Sequence, residues 1–289
     1  MEFIQGLKNF AKNLNAGVDD LFVEALYFGF NDEYGKAIKI LDDAMDASLG
    51  VGGQGKSLIL SFKSMSLSKL DRNEEALDVI EQAIEKNKKS AFNWSVKGDV
   101  LHDLDRQEES LEAYEMALKL TEEGDEREII WNSADTLSHL GRHEEALEKF
   151  KELAKNEPDS AENWFGISDE LFELDRVQES LDACKKGLEI DRDDIDLVIH
   201  YGNLMLALEN YEESLKYFEK ATVLDSKDEV AWYNQACVLS KLNRKEDALD
   251  ALTIATGIDS ENKELMKDEE DFENIKNEAR FTRLLKQSL

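Results

Sequence analysis

Six short segments of closely similar sequence recur along the chain: LDRNEEA at Leu70–Ala76, LDRQEES at Leu104–Ser110, LGRHEEA at Leu140–Ala146, LDRVQES at Leu174–Ser180, LENYEES at Leu208–Ser214 and LNRKEDA at Leu242–Ala248. Their first residues lie 34, 36, 34, 34 and 34 positions apart. A regular internal period of this length is typical of repeat proteins, in which each period forms one supersecondary unit that packs on its neighbours.

Seven frames of 34 residues fit this period. A divergent seventh copy of the segment, FNDEYGKA at Phe30–Ala37, precedes the other six. The frames are 18–51, 57–90, 91–124, 127–160, 161–194, 195–228 and 229–262, with Gly52–Lys56 and Asp125–Glu126 inserted between frames. Residues 1–17 and 263–289 remain outside the array.

Two positions of the frame contain only small residues. When each frame is numbered from its first residue, column 8 reads Ala25, Ser64, Gly98, Ala134, Ser168, Gly202, Ala236, and column 20 reads Ala37, Ala76, Ser110, Ala146, Ser180, Ser214, Ala248. Columns 4, 11 and 24 are mostly large, and their spacings of three and four to the small columns indicate helical faces. Asp, Asn or Gly recurs around columns 14 to 17 and predicts a turn. Each frame therefore predicts a helical hairpin that closes tightly at its small residues.

This combination resembles the tetratricopeptide repeat family: a 34-residue period, alternating large and small columns, and Pro158 near a repeat end. The resemblance covers residues 18–262 and implies an all-α fold, a right-handed superhelical solenoid of about seven helical hairpins with N- and C-terminal capping helices. It also implies a concave inner face lined by columns 2, 5, 9, 12 and 13.

The two ends are expected to cap the array, because an unpaired terminal hairpin would expose its apolar face. For residues 1–17, Phe3, Leu7, Phe10 and Leu14 supply apolar side chains at helical spacing. For residues 263–289, the predicted apolar stripe consists of Phe272, Ile275 and Ala279, followed by Leu284 and Leu285.

Composition excludes several classes of partner. Lys and Arg number 35 against 65 Asp and Glu, so the formal charge is 35 − 65 = −30. This charge argues against nucleic acid, which is bound through Lys and Arg, and against an anionic membrane surface. The two cysteines, Cys184 and Cys237, provide no disulfide framework, and Met1–Ala16 lacks the pattern of a secretory signal. A cytoplasmic protein with no nucleic-acid or membrane partner is expected.

The inner-face columns of the central repeats combine carboxylates with aromatic side chains. The candidate partner-binding residues are Phe92, Asp99, Asp103, Glu128, Trp131, Asp135, Glu162, Phe165, Asp169, Asn203 and Tyr233. Columns 2, 5, 6 and 9 contain no Lys or Arg in any frame, which argues against the clamp that holds acidic chaperone tails in other members of the family. Aromatic anchors and carboxylates predict a protein or peptide partner of basic or apolar character, although the same carboxylates could serve only solubility.

One motif suggests nucleotide binding. GVGGQGKS at Gly50–Ser57 satisfies the phosphate-loop pattern G-x-x-x-x-G-K-[ST]. A phosphate loop follows a strand, whereas the preceding segment Ala37–Ala47 is predicted to be helical. An insertion between repeats is the expected structure, and nucleotide binding is the weaker alternative.

Two histidines lie one helical turn from an aspartate. His102 follows Asp99 by three residues and His139 follows Asp135 by four, so each pair shares one helix face. A closed zinc site would need ligands from both helices of a hairpin, and no cysteine stands nearby. These side chains are expected to be solvated groove residues, and no metal, cofactor or catalytic residue is predicted.

The leading hypothesis is a non-catalytic interaction scaffold that binds a peptide or helix of another protein in the concave groove. The alternatives are a structural protein that self-assembles through its end repeats into a homo-oligomer, and a nucleotide-binding protein that uses the Gly50–Ser57 loop.

Overall fold

The computed structural model describes residues 18–48, 52–121, 126–268 and 270–286, which form helices joined by short turns, without any strand in these ranges. The helices are α1 Val18–Phe30, α2 Tyr34–Ala47, α3 Gly53–Ser68, α4 Asn73–Lys86, α5 Ala91–Asp103, α6 Gln107–Leu120, α7 Arg127–His139, α8 His143–Asn156, α9 Ala161–Glu173, α10 Val177–Ile190, α11 Ile195–Ala207, α12 Tyr211–Leu224, α13 Glu229–Lys241, α14 Lys245–Ile258, α15 Asn262–Asp268 and α16 Ala279–Lys286. A 3₁₀ turn occupies Glu270–Phe272. The all-α prediction is confirmed, while the predicted cap at residues 1–17 lies outside the described ranges.

The helices belong to two compact units, residues 1–149 and 150–289, and the boundary falls within α8. In the first unit α1 packs on α2, α3 on α4 and α5 on α6; in the second, α9 packs on α10, α11 on α12 and α13 on α14. First helices of successive repeats also meet, α3 with α5 and α5 with α7 in the first unit, α9 with α11 and α11 with α13 in the second. Each unit is thus a row of helical hairpins, as adjacent repeats require.

Every hairpin turn contains one residue in the left-handed backbone conformation, always at column 15: Asp32, Asp71, Asp105, Gly141, Asp175, Glu209 and Asn243, with φ between 56° and 69°. The N–H of the next residue donates to a carbonyl five residues earlier, as from Arg72 to Leu67. This is the hydrogen bond of a Schellman motif. Asp and Asn suit the position because their short side chains tolerate left-handed backbone.

The Arg that follows in five of the recurring segments also has a local structural role. Arg72 donates from Nε and Nη2 to the two carboxylate oxygens of Glu75, at 2.8 and 2.6 Å. The same ion pair recurs between Arg106 and Glu109, and comparable pairs occur in three more turns. The recurring Leu-Asp-Arg-x-x-Glu phrase therefore encodes a turn and the first residues of the second helix.

Columns 8 and 20 face each other where the two helices of a hairpin cross. Where one of them is Ser, its hydroxyl donates across the crossing to the opposing backbone carbonyl. Ser64 reaches Ala76, Ser110 reaches Gly98 and Ser214 reaches Gly202, each at 2.8 Å. A hydroxyl one bond from Cβ can reach the other backbone only if the helix axes lie close together. The predicted close approach at the small residues is confirmed by these bonds.

Where the side chain in column 24 is large, a neighbouring small residue makes space for it. Column 24 is aromatic in three repeats, and a glycine faces each ring: a Cβ on Gly98, Gly166 or Gly202 would lie 2.4, 2.6 and 2.7 Å from atoms of Tyr114, Phe150 and Phe218, respectively. In the other four repeats column 24 is Leu41, Ile80, Cys184 or Leu252, and column 8 is Ala or Ser. For Tyr114 and Phe218 the glycine stands in column 8 of the same repeat, whereas Gly166 stands in column 6 of the repeat after Phe150, whose own column 8 is Ala134. A larger side chain in column 24 is therefore matched by a smaller neighbour, either within the repeat or in the next one, as close packing demands.

The C-terminal segment closes the second unit in a way that differs partly from the prediction. Phe272, Ile275, Phe281 and Leu284 are buried in one cluster with α13 and α14. Ala279, predicted to lie on the apolar stripe, is exposed. The chain between α15 and α16 forms a 3₁₀ turn and tight turns rather than one continuous helix, so helical spacing does not carry through to residue 279.

The predicted insertion at Gly52–Lys56 is also placed differently. Residues from Gly53 onward form the first turn of α3, so that helix begins four residues before frame 57–90. A Cβ on Gly53 would lie 3.0 Å from the carbonyl oxygen of Lys86. Glycine at this position therefore lets the added helical turn pass close to the end of α4.

We expect Gly202→Ala to lower the free energy of unfolding by about 1–3 kcal/mol, because the new methyl group would overlap the ring of Phe218. Adding Phe218→Leu recreates the Ala236 and Leu252 pair of the last repeat and should recover part of this loss. Urea unfolding followed by circular dichroism measures both.

Gly257→Ala is the matched control, since nothing lies within 4 Å of its Cβ position, and it should be neutral or stabilising. Equal losses for Gly202→Ala and Gly257→Ala would contradict the packing argument.

We expect Glu209→Asn to raise the free energy of unfolding by up to about 1 kcal/mol, because Glu209 holds a φ of 56° that Asn adopts at lower cost. The control is Glu212→Asn, in the first turn of α12, where Asn gains nothing and forms helix less readily than Glu. Thermal unfolding of both variants tests this, and a stabilising Glu212→Asn with a neutral Glu209→Asn would refute it.

Candidate functional site

Helices α5 and α7 of the first unit place several predicted site residues around one cleft. The cleft has a volume of about 180 Å³ and is lined by Asp99, His102, Asp103, Tyr114, Asn132 and Asp135; we call it the acidic cleft. Three of its six lining residues are carboxylates, Asp99, Asp103 and Asp135, and the same three were predicted from the sequence as partner-binding residues. Asp99 and Asp103 lie one turn apart on α5, and Asp135 projects from α7.

Asp99 is the inner carboxylate of the acidic cleft. Its Oδ1 accepts hydrogen bonds from the hydroxyl of Tyr114 at 2.7 Å and from Nδ2 of Asn132 at 2.9 Å. Burial raises the pKa of Asp99, and the two hydrogen bonds offset this only in part. The same burial and the nearby carboxylate raise the pKa of Tyr114. Asp99 therefore ties α5, α6 and α7 together and is poorly placed to meet an incoming ligand.

The remaining candidates of the first unit are more accessible. Asp103 and Glu128 are exposed, whereas Asp135 and Trp131 are half-buried. Phe92 is 38% exposed and its ring lies 5.5 Å from that of Phe62. Seven and eleven residues separate Phe92 from Asp99 and Asp103, so the three lie on one face of α5. An exposed aromatic ring and accessible carboxylates thus share one surface.

Asp135 is flanked by two histidines. Its Oδ2 lies 3.6 Å from Nε2 of His102 and 3.7 Å from Nδ1 of His139. The two imidazole rings meet edge to face, with centroids 4.9 Å apart. The sequence paired His102 with Asp99 on the same helix; in the structure His102 faces the carboxylate of the following repeat. Only packing of α5 beside α7 brings these three side chains together.

The second unit has an analogous but more apolar surface. Nδ1 of His200 lies 3.7 Å from Oδ1 of Asp169, and the rings of Phe165 and Phe172 pack edge-on against the imidazole. His200 is buried, and this burial lowers its pKa. Glu162, the remaining acidic candidate of α9, is exposed.

A regular polar contact links first helices within each unit, from column 9 of one repeat to column 6 of the next. It joins Asp99 to Asn132, Asp169 to His200, and Asn203 to Asn234, whose amides are 3.1 Å apart. The predicted groove residues include column 9 but no residue of column 6. The polar residues of column 6, Asn132, His200 and Asn234, were the available signal, since three of the last four frames carry one.

Two residues of the inner-face columns, Tyr233 in column 5 and Cys237 in column 9 of the last frame, lie in the core instead. Tyr233 is 8% exposed and packs edge-on against Phe272, with ring centroids 5.5 Å apart. Cys237, one turn later on α13, is also buried. The C-terminal segment covers this face of the last repeat, which explains both. Tyr233 therefore stabilises the C-terminal cap and is not a groove residue.

The other cysteine offers no reactive thiol. Cys184 is buried, and burial raises its pKa to about 12. It packs with Leu181 and Leu197 in the core of the second unit.

The described part of the phosphate-loop motif, Gly52–Ser57, does not present a free hydroxyl. Ser57 is buried, donates to the carbonyl of Ala83 at 2.9 Å and accepts from Nδ2 of Asn93 at 2.7 Å. A phosphate loop needs that hydroxyl for a metal ion bound to the nucleotide. The Ser57 side chain serves instead to join α3, α4 and α5. Gly50 and Val51 lie outside the described residues.

No helix among the described residues has the length and apolar character needed to cross a bilayer.

Comparisons with known proteins support the fold. Family models for the tetratricopeptide repeat match residues 132–195 and 195–228. A solved tetratricopeptide repeat protein from Parabacteroides merdae is 14% identical and has a TM-score of 0.70 over 94% of this chain and 98% of its own. The C-terminal part of a repeat-containing protein from Cytophaga hutchinsonii is 13% identical, with a TM-score of 0.59 over 85% and 98% of the two chains. MamA from Desulfovibrio magneticus RS-1 is 15% identical, with a TM-score of 0.53 over 60% of this chain and 96% of its own.

No curated protein matches the sequence. At these identities the solved structures show a common fold and nothing about partners. The two matched segments cover residues 132–228, and hairpins of the same construction occupy the rest of residues 18–258 that the structure describes. The chain therefore contains tetratricopeptide repeats, which the family models match at residues 132–228.

Proposed function

We propose that this chain is a non-catalytic interaction scaffold that binds a basic, partly apolar segment of another protein on the surface formed by α5 and α7. The tetratricopeptide fold supports the general role of a protein-interaction scaffold. The observation that carries the specific proposal is the acidic cleft, where the accessible carboxylates of Asp103 and Asp135 share a surface with the exposed ring of Phe92.

Charge explains why a basic segment is favoured. Columns 2, 5, 6 and 9, which include Asp135, contain no Lys or Arg in any frame. Asp103 stands in column 13, where Lys occurs only in the second and the seventh frame, as Lys69 and Lys241. A lysine or arginine of the partner would meet Asp103 and Asp135, while an apolar side chain would pack on Phe92 and Phe62. Complementary charge of this kind raises the association rate and selects among partners. Aromatic side chains supply much of the contact energy at such interfaces.

The absence of catalysis is part of the proposal and is supported by the surroundings of the reactive groups. The Cys184 thiol is held protonated in the core, and the Ser57 hydroxyl is used between helices. Asp99 is occupied by two structural hydrogen bonds. None of these three groups is free to act as a nucleophile or general base on a bound substrate.

We expect Asp103→Asn/Asp135→Asn to weaken binding of a lysine-rich amphipathic helical peptide about tenfold, which corresponds to about 1.4 kcal/mol. The measurement is fluorescence anisotropy with the labelled peptide, alongside the same peptide with every Lys replaced by Glu. Raising the salt from about 0.01 M to about 1 M should also weaken binding, since the screening length falls from about 30 Å to about 3 Å.

The matched control is Glu108→Gln/Glu112→Gln, which changes two exposed carboxylates on α6. Both double variants carry a formal charge of −30 + 2 = −28. If both weaken binding equally, the peptide senses only the net charge, and the acidic cleft is not the site. Self-association of the protein without peptide, seen by light scattering, would instead favour assembly through the end repeats.

A further inference from the structure

We infer that His102, Asp135 and His139 form a binding site for a divalent transition-metal ion such as Zn²⁺ at the edge of the acidic cleft. One nitrogen of each imidazole and one carboxylate oxygen lie within 4.8 Å of one another. The sequence predicted no metal, because each histidine was considered only with an aspartate of its own helix. The structure joins the two histidines around one carboxylate, and this inference does not depend on the proposed peptide binding.

Hydrogen bonds determine which nitrogen of each histidine can bind a metal ion. The hydroxyl of Thr136 donates to the carbonyl of Asn132 at 2.9 Å, so its oxygen accepts from Nδ1–H of His102, 3.3 Å away. The carbonyl of Asp135 can only accept, so Nδ1–H of His139 donates to it at 2.9 Å. Both neutral imidazoles therefore keep the lone pair on Nε2. A hydrogen bond from the other ring nitrogen is the usual support of a metal-binding histidine.

The distances are close to those of a tetrahedral site. Ligand bonds of about 2.0–2.1 Å to zinc place neighbouring ligand atoms about 3.3 Å apart. Nε2 of His102 and Oδ2 of Asp135 are already 3.6 Å apart. The side chain of His139 is 54% exposed, against 25% for His102. The nitrogen of His139 that lies near Asp135 is Nδ1, at 3.7 Å from Oδ2. To bind the ion, His139 would rotate to present Nε2, or it would give up the hydrogen bond from Nδ1 to the Asp135 carbonyl. Its exposure leaves room for that rotation, whereas His102 is more enclosed by its surroundings.

The ligand types select the class of metal. Imidazole nitrogen favours Zn²⁺, Co²⁺, Ni²⁺ and Cu²⁺, whereas Mg²⁺ and Ca²⁺ prefer oxygen ligands only. Three protein ligands leave one position of a tetrahedral ion for water or a ligand from outside. Asp99 and Asp103 line the same cleft and add negative potential that favours a cation.

The test is calorimetric titration of the full chain, prepared without a histidine tag, with Zn²⁺ in the presence of excess Mg²⁺. The expected result is saturable binding of one Zn²⁺ that Mg²⁺ does not displace. Co²⁺ should compete with Zn²⁺ and develop the visible absorption of a nitrogen- and oxygen-ligated tetrahedral ion. Absence of saturable binding, or its abolition by Mg²⁺, would overturn the inference.

Two variants locate the ion. His139→Ala and Asp135→Asn should each weaken Zn²⁺ binding tenfold or more. Loss of a residue that only supports a metal ligand already costs about tenfold or more in affinity, and these two residues are ligands themselves. His139 is exposed, so its replacement should leave the helical circular dichroism unchanged. Asp103→Asn is the control for Asp135→Asn, since it removes an equal charge from the same cleft without removing a ligand, and should change the affinity less than threefold.

His143→Ala is the control for His139→Ala, because His143 is outside the cluster. If Asp103→Asn weakens binding as much as Asp135→Asn, the ion is held by the general negative potential and no defined site exists. The same conclusion follows if His143→Ala matches His139→Ala.

Discussion

The structure depends on the close crossing of two helices within each repeat. At this crossing columns 8 and 20 are Ala, Ser or Gly, and the hydroxyl of a Ser on one helix reaches the carbonyl of the other, as from Ser110 to Gly98. Because the axes are this close, the column 24 side chain enters a space of fixed size. An aromatic ring fits there only where the facing residue is glycine and has no Cβ to overlap the ring, as with Gly202 and Phe218. This steric limit keeps the hairpins alike while their surfaces vary.

The period, the helices and the turns could be predicted because they depend on local sequence. A left-handed residue at column 15 needs Gly, Asn or Asp, and six of seven turns have one, with Glu209 as the exception. The pairing of glycine with an aromatic ring was visible in the sequence too, but it becomes meaningful only once the ring is seen to point at the glycine. Volume compensation is a property of two positions together, and single-column patterns do not reveal it.

The site was predicted less completely, since it depends on contacts between repeats. Column 9 was selected for the predicted groove without its contact partner in column 6, so the contacts of Asp99 with Asn132 and of Asp169 with His200 were not foreseen. Tyr233 was assigned to the groove because the column rule treats every repeat alike. The last repeat is covered by the C-terminal segment, and Phe272 buries the ring. The last repeat therefore has the same backbone arrangement as the others, but its inner-face side chains are not exposed to the same extent.

The column 9 to column 6 contacts also change how the acidity of this protein should be understood. A charge of −30 suggests a uniformly repulsive surface, but carboxylates at equivalent positions differ in their surroundings. Asp99 is fixed by Tyr114 and Asn132, and burial raises its pKa. Asp135, at the same column one repeat later, faces two histidines and stays partly accessible. Specific chemistry on this surface therefore comes from the few carboxylates whose neighbours leave an oxygen available, and column identity alone does not distinguish them from those that only hold the helices together.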